Sequence, residues 1–469
     1  MPRLLGLGAV PLCALLTLPV QAAELDLVDV GGLWATPTAT GGAAAFWNPG
    51  ALAGGEGTRW HMDVAGVRGQ MTYAALDDDP DTYLKTAPLP FVGIATDFGS
   101  EDYGIGFALA APYAVGGDVQ ATPASGRYFM QQGAVQAVYV MLAGSASFVE
   151  DKVHVGLGVG LVHSEWSALS DKELLPDLAT AIEEAGSEHS YTDFDLGDPD
   201  YAATLSFPSL TDLAYTASIG LLWLPHEKVD VAVSYIAPVA VDNTGEMQIQ
   251  FGCPPQEDIG GRFIAESRGI CDTTYDAEAA VGYTLPSRLH LGVAYTPVDS
   301  VRLEAMAGVI GWSAFTDFDI RTSGIVEHNE GVSEETAELI ESAHLWARDA
   351  QTTAWFGFDA KTSLTDRVQV ALRTIFDPAS IPDSALSPNN WDADKLHVAG
   401  GVAANLNERF MVAIAYSHQF IAERTITNSA FSVSVDSSVE VEDRYNYPST
   451  NGTYSGTLDR VAVTLSSGF

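Results

Sequence analysis

The sequence predicts an all-β protein: a transmembrane antiparallel β-barrel of about 14 strands, with an N-terminal hatch (plug) segment inside the lumen. Three observations predict it. The chain opens with an export signal. One unit, a tight polar turn followed by a strand of alternating polarity, recurs along its length. The face opposite the apolar one mixes Gly and Ala with charges, which suits a polar lumen and not the dry core of a sandwich.

Composition bounds the reading first. The 469 residues include 22 Lys and Arg against 61 Asp and Glu, a net charge of −39. That excludes general nucleic-acid binding, which needs a basic footprint. Yet 47 % of residues are hydrophobic and 44 are Gly, so the chain is not disordered in composition. Met1-Pro2-Arg3, the apolar run Leu4 to Val20 and the small-x-small step Val20-Gln21-Ala22 form a signal peptide over 1–22, with the mature chain starting at Ala23. Cys13 follows Leu12 where a lipoprotein signal requires a small residue, so lipidation is rejected. No other run reaches the length of a spanning helix. The mature protein is therefore expected in the periplasm, the outer membrane or the medium, and the barrel read below narrows this to the cell outer membrane of a Gram-negative bacterium. Cys253 and Cys271 remain after cleavage, and an even pair in an exported chain favours a disulfide. A metal pair, the competing reading, lacks nearby histidines.

The stretch EDKVHVGLGVGLVH at 150–163 shows the repeating unit. Its G-x-G-x-G core imitates a phosphate loop, but the glycines keep a period of two, whereas a dinucleotide fingerprint opens a helix with a different spacing. Val153, Val155, Leu157, Val159 and Leu161 make one face; His154, Gly156, Gly158 and Gly160 make the other. The same alternation starts at Val229, Val301, Val368 and Phe410, each time after a short polar turn (VEDKV, LPHEKV, TPVDSV, LTDRV, LNERF), with a sixth, weaker copy in GSEDYGIGFALA. Opposite the apolar faces stand Asp230, Arg302, Glu304 and Arg373 among small residues. In lipid every backbone group must be paired, so such strands have to close into a barrel. Long segments (164–211, 252–275, 322–352, 377–394 and 432–456) alternate with the short turns, as outer-membrane barrels require. The six turns join twelve strands; Arg59–Tyr73 precedes them and Leu458–Phe469 follows, which completes the count. The aromatic C-terminus, Phe469, is the kind of tail that barrel-assembly machinery reads. Residues 23–58 differ: Gly, Ala, Thr and Pro dominate and no period holds, so the segment reads as a plug anchored by Trp34, Phe46 and Trp47 rather than as a flexible tail. The barrel then occupies 59–469.

The chain resembles the FadL-type outer-membrane transporters, which include long-chain fatty acid and aromatic-hydrocarbon channels. The resemblance spans nearly the whole mature chain and is carried by FWNPGALAGG, GFALAAPYAVGG, ASIGLLWLPHEKVDVAVSYIAPVAVDNTGEM, LPSRLHLGVAYTPVDSVRLEAMAGVIGWSAFTDFDI and RTIFDPASIPDSALSPNNWDADKLHVAGGVA, in that order. It implies capture of a hydrophobic compound by extracellular loops, a hatch rearrangement, and lateral release through a gap beside a kinked third strand. The family's Asn-Pro-Ala hatch motif corresponds to Asn48, Pro49 and Gly50, with glycine in place of alanine. The kink falls near Ala111, Pro112, Gly116 and Gly117, where proline cannot donate to a ladder.

A chain this acidic repels fatty acid anions unless cations are placed for them. Lumen-side parity nominates Arg302 and Arg373, then His154 and His290, as head-group candidates, against the plainer reading of ion pairs such as Arg302 with Glu304. The acidic runs Asp77–Asp81 and Asp193–Asp200 read as solvated loops, with divalent-ion bridging to outer lipids as the sharper alternative. The stretches DKELLPDLATAIEEAG and SEETAELIESAHLWARDA read as amphipathic helices over the barrel mouth. No catalytic, zinc or cofactor motif is present, so neither an enzyme nor a cofactor is expected. The partners expected are a hydrophobic small molecule, outer-membrane lipids and the assembly machinery. A hydrocarbon channel of the same family, or a structural or secretion-associated barrel that transports nothing, stays open as an alternative.

Overall fold

The computed structural model describes residues 29–75, 80–119, 125–173, 202–253, 262, 266, 271–330, 332, 337, 344–407, 409–429 and 450–467. The signal peptide, Phe469, the run at 193–200 and most of Asp77–Asp81 lie outside the described residues. One antiparallel sheet of 18 strands forms the molecule. In chain order these are β1 (Arg59–Ala75), β2 (Asp81–Thr96), β3 (Tyr103–Val119), β4 (Gln132–Phe148), β5 (Val153–Glu173), β6 (Ala202–His226), β7 (Val229–Ile236), β8 (Val239–Phe251) and β9 (Thr274–Leu285). There follow β10 (Arg288–Val298), β11 (Val301–Ile310), β12 (Asp317–Ser323), β13 (His344–Ala347), β14 (Thr353–Thr365), β15 (Val368–Asp377), β16 (Lys395–Asn405), β17 (Phe410–Ile426) and β18 (Gly452–Ser467).

The sheet closes because β1 pairs with β18 as well as with β2. The ring runs β1 to β7, then β10, β11 and β14 to β18, which is a 14-strand barrel. Closure removes the unpaired edge that hydrocarbon does not tolerate. Side chains follow the alternation read from the sequence. Leu157, Val159 and Leu161 are 64, 63 and 41 % exposed on the outer face, while His154, Gly156, Gly158 and Gly160 are buried toward the lumen. The six short connections fall where the polar turns were placed.

The remaining strands, β8, β9, β12 and β13, prolong β7, β10, β11 and β14 beyond a crease. Ile236, Arg288, Ile310 and Thr353 stand in register across four adjacent strands. Immediately past them the chain leaves the ladder at 237–238, 286–287, 311–316 and 348–352. Below the crease the outward positions are apolar, among them Val233, Tyr235, Leu291, Val293, Val309, Phe356 and Phe358. Above it they are Asp242, Glu246, Gln248, Asp276, Glu278 and Arg321. The lipid-facing band therefore ends at the crease on this side. The inner face of the extension stays apolar, with Val241, Met247, Ile249, Tyr275, Val281 and Phe318 buried.

The strands run further than alternation alone shows. β5 continues to Glu173 and β6 begins at Ala202, so much of the segment expected as loop from 164 to 211 is ladder. His344–Ala347 is strand rather than helix, because its backbone completes the ladder of β12 at Asp317–Ile320. Cys253 and Cys271 are joined by a disulfide, with Cα atoms 4.4 Å apart, at the outer ends of β8 and β9.

In the turn between β2 and β3, the Asp97 carboxylate accepts the Gly99 and Gly57 amides at 2.7 Å each. These two hydrogen bonds, Gly99 first, hold its carboxyl below the usual range. A depressed carboxyl stabilises the fold above its unfolded value, near pH 4, and that contribution is lost as pH falls through the folded value. Acidification below about pH 4 and Asp97→Ala at neutral pH should both speed hydrogen exchange at Gly57 and Gly99. Equal exchange rates at pH 3 and pH 6, after correction for intrinsic chemistry, would refute this.

Candidate functional site: a filled lumen, an apolar cavity and a gap in the wall

Residues 29–55 lie against the inner wall; most of them are buried and none is fully exposed. The wall holds this segment in two ways. Toward its start the anchors are charges. Arg460 pairs with Asp29 at 2.9 Å and also with Asp63 of the wall. His61 Nε2 donates to the Gly31 carbonyl at 2.7 Å. Arg373 donates to the carbonyls of Gly32, Leu33 and Ala35 at 2.9–3.2 Å while paired with Asp359 at 3.0 Å.

Further along, Arg59 donates to the carbonyls of Thr40 and, at 2.9 Å, Leu52, and close approach of backbone adds a second anchor. A short helix α1 (Ala44–Trp47) and a 3-10 turn (Pro49–Leu52) carry the Asn-Pro-Gly motif. Asn48 Nδ2 donates to Pro37 O at 3.1 Å and to Leu221 O at 3.0 Å, and Asn48 Oδ1 accepts the Gly50 amide at 3.0 Å. Ser234 Oγ donates to Trp47 O, and the Trp47 indole donates to Val30 O at 2.8 Å. A Cβ on Gly156 would collide with the Pro49 carbonyl, and one on Gly220 with Asn48 Oδ1. A Cβ on Gly50 itself would sit 2.8 Å from the Gly220 carbonyl, which gives glycine at this place a steric reason. The alternate glycines of β5 are thus not a phosphate loop: Gly156 seats the motif, while Gly158 and Gly160 make room for Ser218, Met141 and Thr216 of the wall. On the opposite side of the same wall, Val155, Ile219, Leu221, Val233 and Tyr235 border a groove of about 460 Å³ floored by the backbone of Gly220 and Ser234.

The head-group candidates all face inward, and each is engaged. Arg302 pairs with Asp230 at 2.7 Å, not with Glu304, and donates to Thr38 Oγ1 at 2.8 Å. Glu304 accepts the Thr38 amide at 3.3 Å. Arg373 is held as described above. His154 Nδ1 meets Ser147 Oγ at 2.8 Å, and the His290 ring lies 4.9 Å from that of Trp47. The structure does not bring these four together around one point; Arg302, Arg373 and His290 bear on the N-terminal segment instead.

The wall has an interruption between β2 and β3. Their ladder pairs Leu84 with Asp118 and next pairs Val92 with Leu109, so β2 advances eight residues while β3 takes nine. The extra residue falls at Ala111–Pro112, where the β3–β4 register also shifts between Ala110 and Tyr113. Alternation fails there, with Ala111, Pro112, Tyr113 and Ala114 all buried. Gly116 and Gly117 follow within or beside the interrupted stretch. On the facing strand Pro88 and Pro90 have no N–H to offer a neighbour. At the outer end of the gap, Lys85 Nζ meets both Asp118 carboxylate oxygens at 2.8 and 3.0 Å.

An apolar cavity of about 710 Å³, counted with the solvent open to it, reaches this gap. Trp166, Trp346, Trp391, Phe129, Phe318 and Met71 line it, together with Val115 and Gly116 of β3. Its polar groups include Ser167, Asn389 and Arg348. The Arg348 guanidinium stacks 4.6 Å from the Phe315 ring and 5.5 Å from Phe318, a cation held on aromatic faces. Pro388, Asn389 and Trp391 come from the connection between β15 and β16, which folds inward. Arg424 ties it by donating to Ile381 O at 2.9 Å and Asp392 O at 2.7 Å, and Lys395 pairs with Asp392 at 2.9 Å. Parity within strands could not find Arg348 or Trp391, because both stand outside regular strand; the NNWD run was the available signal.

A closed barrel with a filled lumen, an apolar cavity and an interrupted side wall is the build of an outer-membrane transport protein for hydrophobic compounds. The chain belongs to the outer membrane protein transport family (OMPP1/FadL/TodX), whose pattern matches residues 33–462. A FadL homologue from Pseudomonas aeruginosa has the same fold, with 15 % identity, a TM-score of 0.72, and 96 % of this chain and 98 % of that one covered. The Pseudomonas putida toluene transporter TodX superposes with a TM-score of 0.64 at 12 % identity, over 96 % of this chain and 99 % of its own. The Ralstonia pickettii toluene transporter TbuX gives 0.59 at 16 % identity, over 95 % and 97 %. No curated protein sequence matches the chain.

If Gly156 and Gly220 seat the motif, a side chain there must displace it. Gly156→Val should give the protein a steady ion conductance in planar bilayers that the parent lacks. A variant that inserts normally and stays as tight as the parent would contradict this role.

Proposed function

We propose that the protein takes up long-chain fatty acids passively, by loop capture, movement of residues 29–55 as a hatch, and release sideways into the membrane between β2 and β3. The observation that carries the reading is the meeting of the apolar cavity with the interrupted ladder at Val115 and Gly116. An apolar chain gains nothing by crossing a water-filled pore when lipid lies beside the cavity. The aromatic walls suit the tail and Arg348 supplies a cation for the carboxylate. Arg302 and Arg373 serve the hatch in this reading, since their donors already meet the segment and its neighbouring acids. A neutral aromatic hydrocarbon is the second reading, favoured by three tryptophans in the cavity wall.

Mass spectrometry of solvent extracts from the purified protein, against an unrelated barrel, separates these. Enriched fatty acid that falls about tenfold in Arg348→Leu, as loss of a charged hydrogen-bond partner implies, supports the first. Enriched hydrocarbon indifferent to Arg348 supports the second. An extract matching the control counts against both.

The exit has its own test. Deleting Ala111 and changing Pro112→Val equalises β2 and β3 in length, so the ladder can close. Uptake of labelled oleate by whole cells should then fall to background while the cavity still retains ligand. Uptake at the parental rate would mean the side gap is not the route.

A further inference from the structure

The interrupted ladder raises a physical question. Eight residues of β3 forgo pairing with β2, while most keep their pairing with β4, in a medium that penalises every unpaired backbone group, although one surplus residue is ordinarily absorbed by a bulge within two or three positions. Something must hold the strand away from its neighbour. The side chain placed to do so is Tyr113, the first residue past the bulge, whose surface is 0 % exposed.

Tyr113 reaches across the lumen. Its hydroxyl donates to the Pro286 carbonyl at 2.8 Å. Pro286 lies in the crease, after β9 ends at Leu285 and before β10 begins at Arg288, so no ladder claims its carbonyl. The ring packs at 6.2 Å, edge to face, against Trp312, which also lies in the crease, and at 5.9 Å from Tyr139 of β4. The Arg288 guanidinium covers the ring at 4.8 Å. The interruption of one wall and the crease of the opposite wall are thus joined through one phenol.

We propose that Tyr113 is the positioning residue of the side exit: anchored on Pro286, it holds the β3 bulge inward and keeps β3 from zipping onto β2. It stands one inward step from Val115 of the cavity wall, so the same ring closes the lumen beneath the cavity and leaves the gap as the way out. The effect on transport rests on the lateral route proposed above; the effect on the ladder does not.

The test uses the full chain in outer-membrane vesicles, with hydrogen exchange read on peptides covering Lys85–Phe91 and Ala110–Gly117, and oleate uptake read in cells. Tyr113→Phe removes only the hydrogen bond, and Trp312→Leu removes the seat of the ring, so a fold defect in one does not end the test. Slowed exchange on these peptides by about fivefold, the weight of one buried hydrogen bond, together with a comparable fall in uptake and unchanged ligand retention, is the expected result. Slowed exchange with uptake unchanged would uphold the clasp and sink the lateral route. Exchange at the parental rate in both variants would overturn the proposal.

Discussion

The molecule depends on one constraint, that hydrocarbon offers no partner to a backbone N–H or C=O. The closed ladder from β1 round to β18 answers it, and most other features are conditions set by that closure. Because the wall is closed, side chains have only two destinations, lumen or lipid, and the period of two follows wherever the ladder is regular. Because the lumen is narrow, whatever fills it must meet the wall at backbone distance, and the wall supplies glycine where the Asn-Pro-Gly motif lies. The stretch where β2 and β3 part coincides with a proline pair in β2, Pro88 and Pro90.

The N-terminal segment is held by two kinds of force. Around residues 29–38 the contacts are one ion pair, Asp29 with Arg460, and hydrogen bonds with one charged partner: carbonyls to Arg373, Thr38 to Arg302 and Glu304. Around 42–54 close packing is added, with Asn48 fixing the peptide against Leu221, and a further cation, Arg59, donates to the Leu52 carbonyl at 2.9 Å. The charged contacts thus reach from Asp29 to Leu52, and close packing joins them around Asn48. The inward cations Arg59, Arg302, Arg373 and Arg460 are thus engaged with the segment, while Arg348, which lines the cavity, comes from an irregular stretch.

Much of this was legible in the chain. Alternation after each polar turn gave the strands, their number and which face meets lipid, since a period of two reports burial directly. Parity placed Arg302 and Arg373 in the lumen, but parity says nothing about what lies opposite, and the carbonyls of Gly32, Leu33 and Ala35 are 338 or more residues away in sequence. The helical reading of His344–Ala347 failed for the same reason: its apolar spacing was locally sound, and pairing with β12 overrode it. Pro88 and Pro90 were visible but carried meaning only once β3 was known to leave them. The crease was written in Pro238 and Pro286, yet only register shows that four breaks share one level.

The groove on the lipid face at Gly220 and Ser234 has a consequence for the bilayer. Ser234 Oγ and the Leu221 carbonyl, on one side of that thin floor, hold Trp47 and Asn48; on the other side acyl chains must fill the hollow. A single thickness of peptide therefore separates the membrane's own chains from the motif that fills the barrel. Lateral pressure, chain length and fluidity act on that floor without passing through any ligand. The lipid is in this sense a mechanical neighbour of the Asn-Pro-Gly turn, and the firmness with which the turn is seated is a property of the protein and its bilayer together.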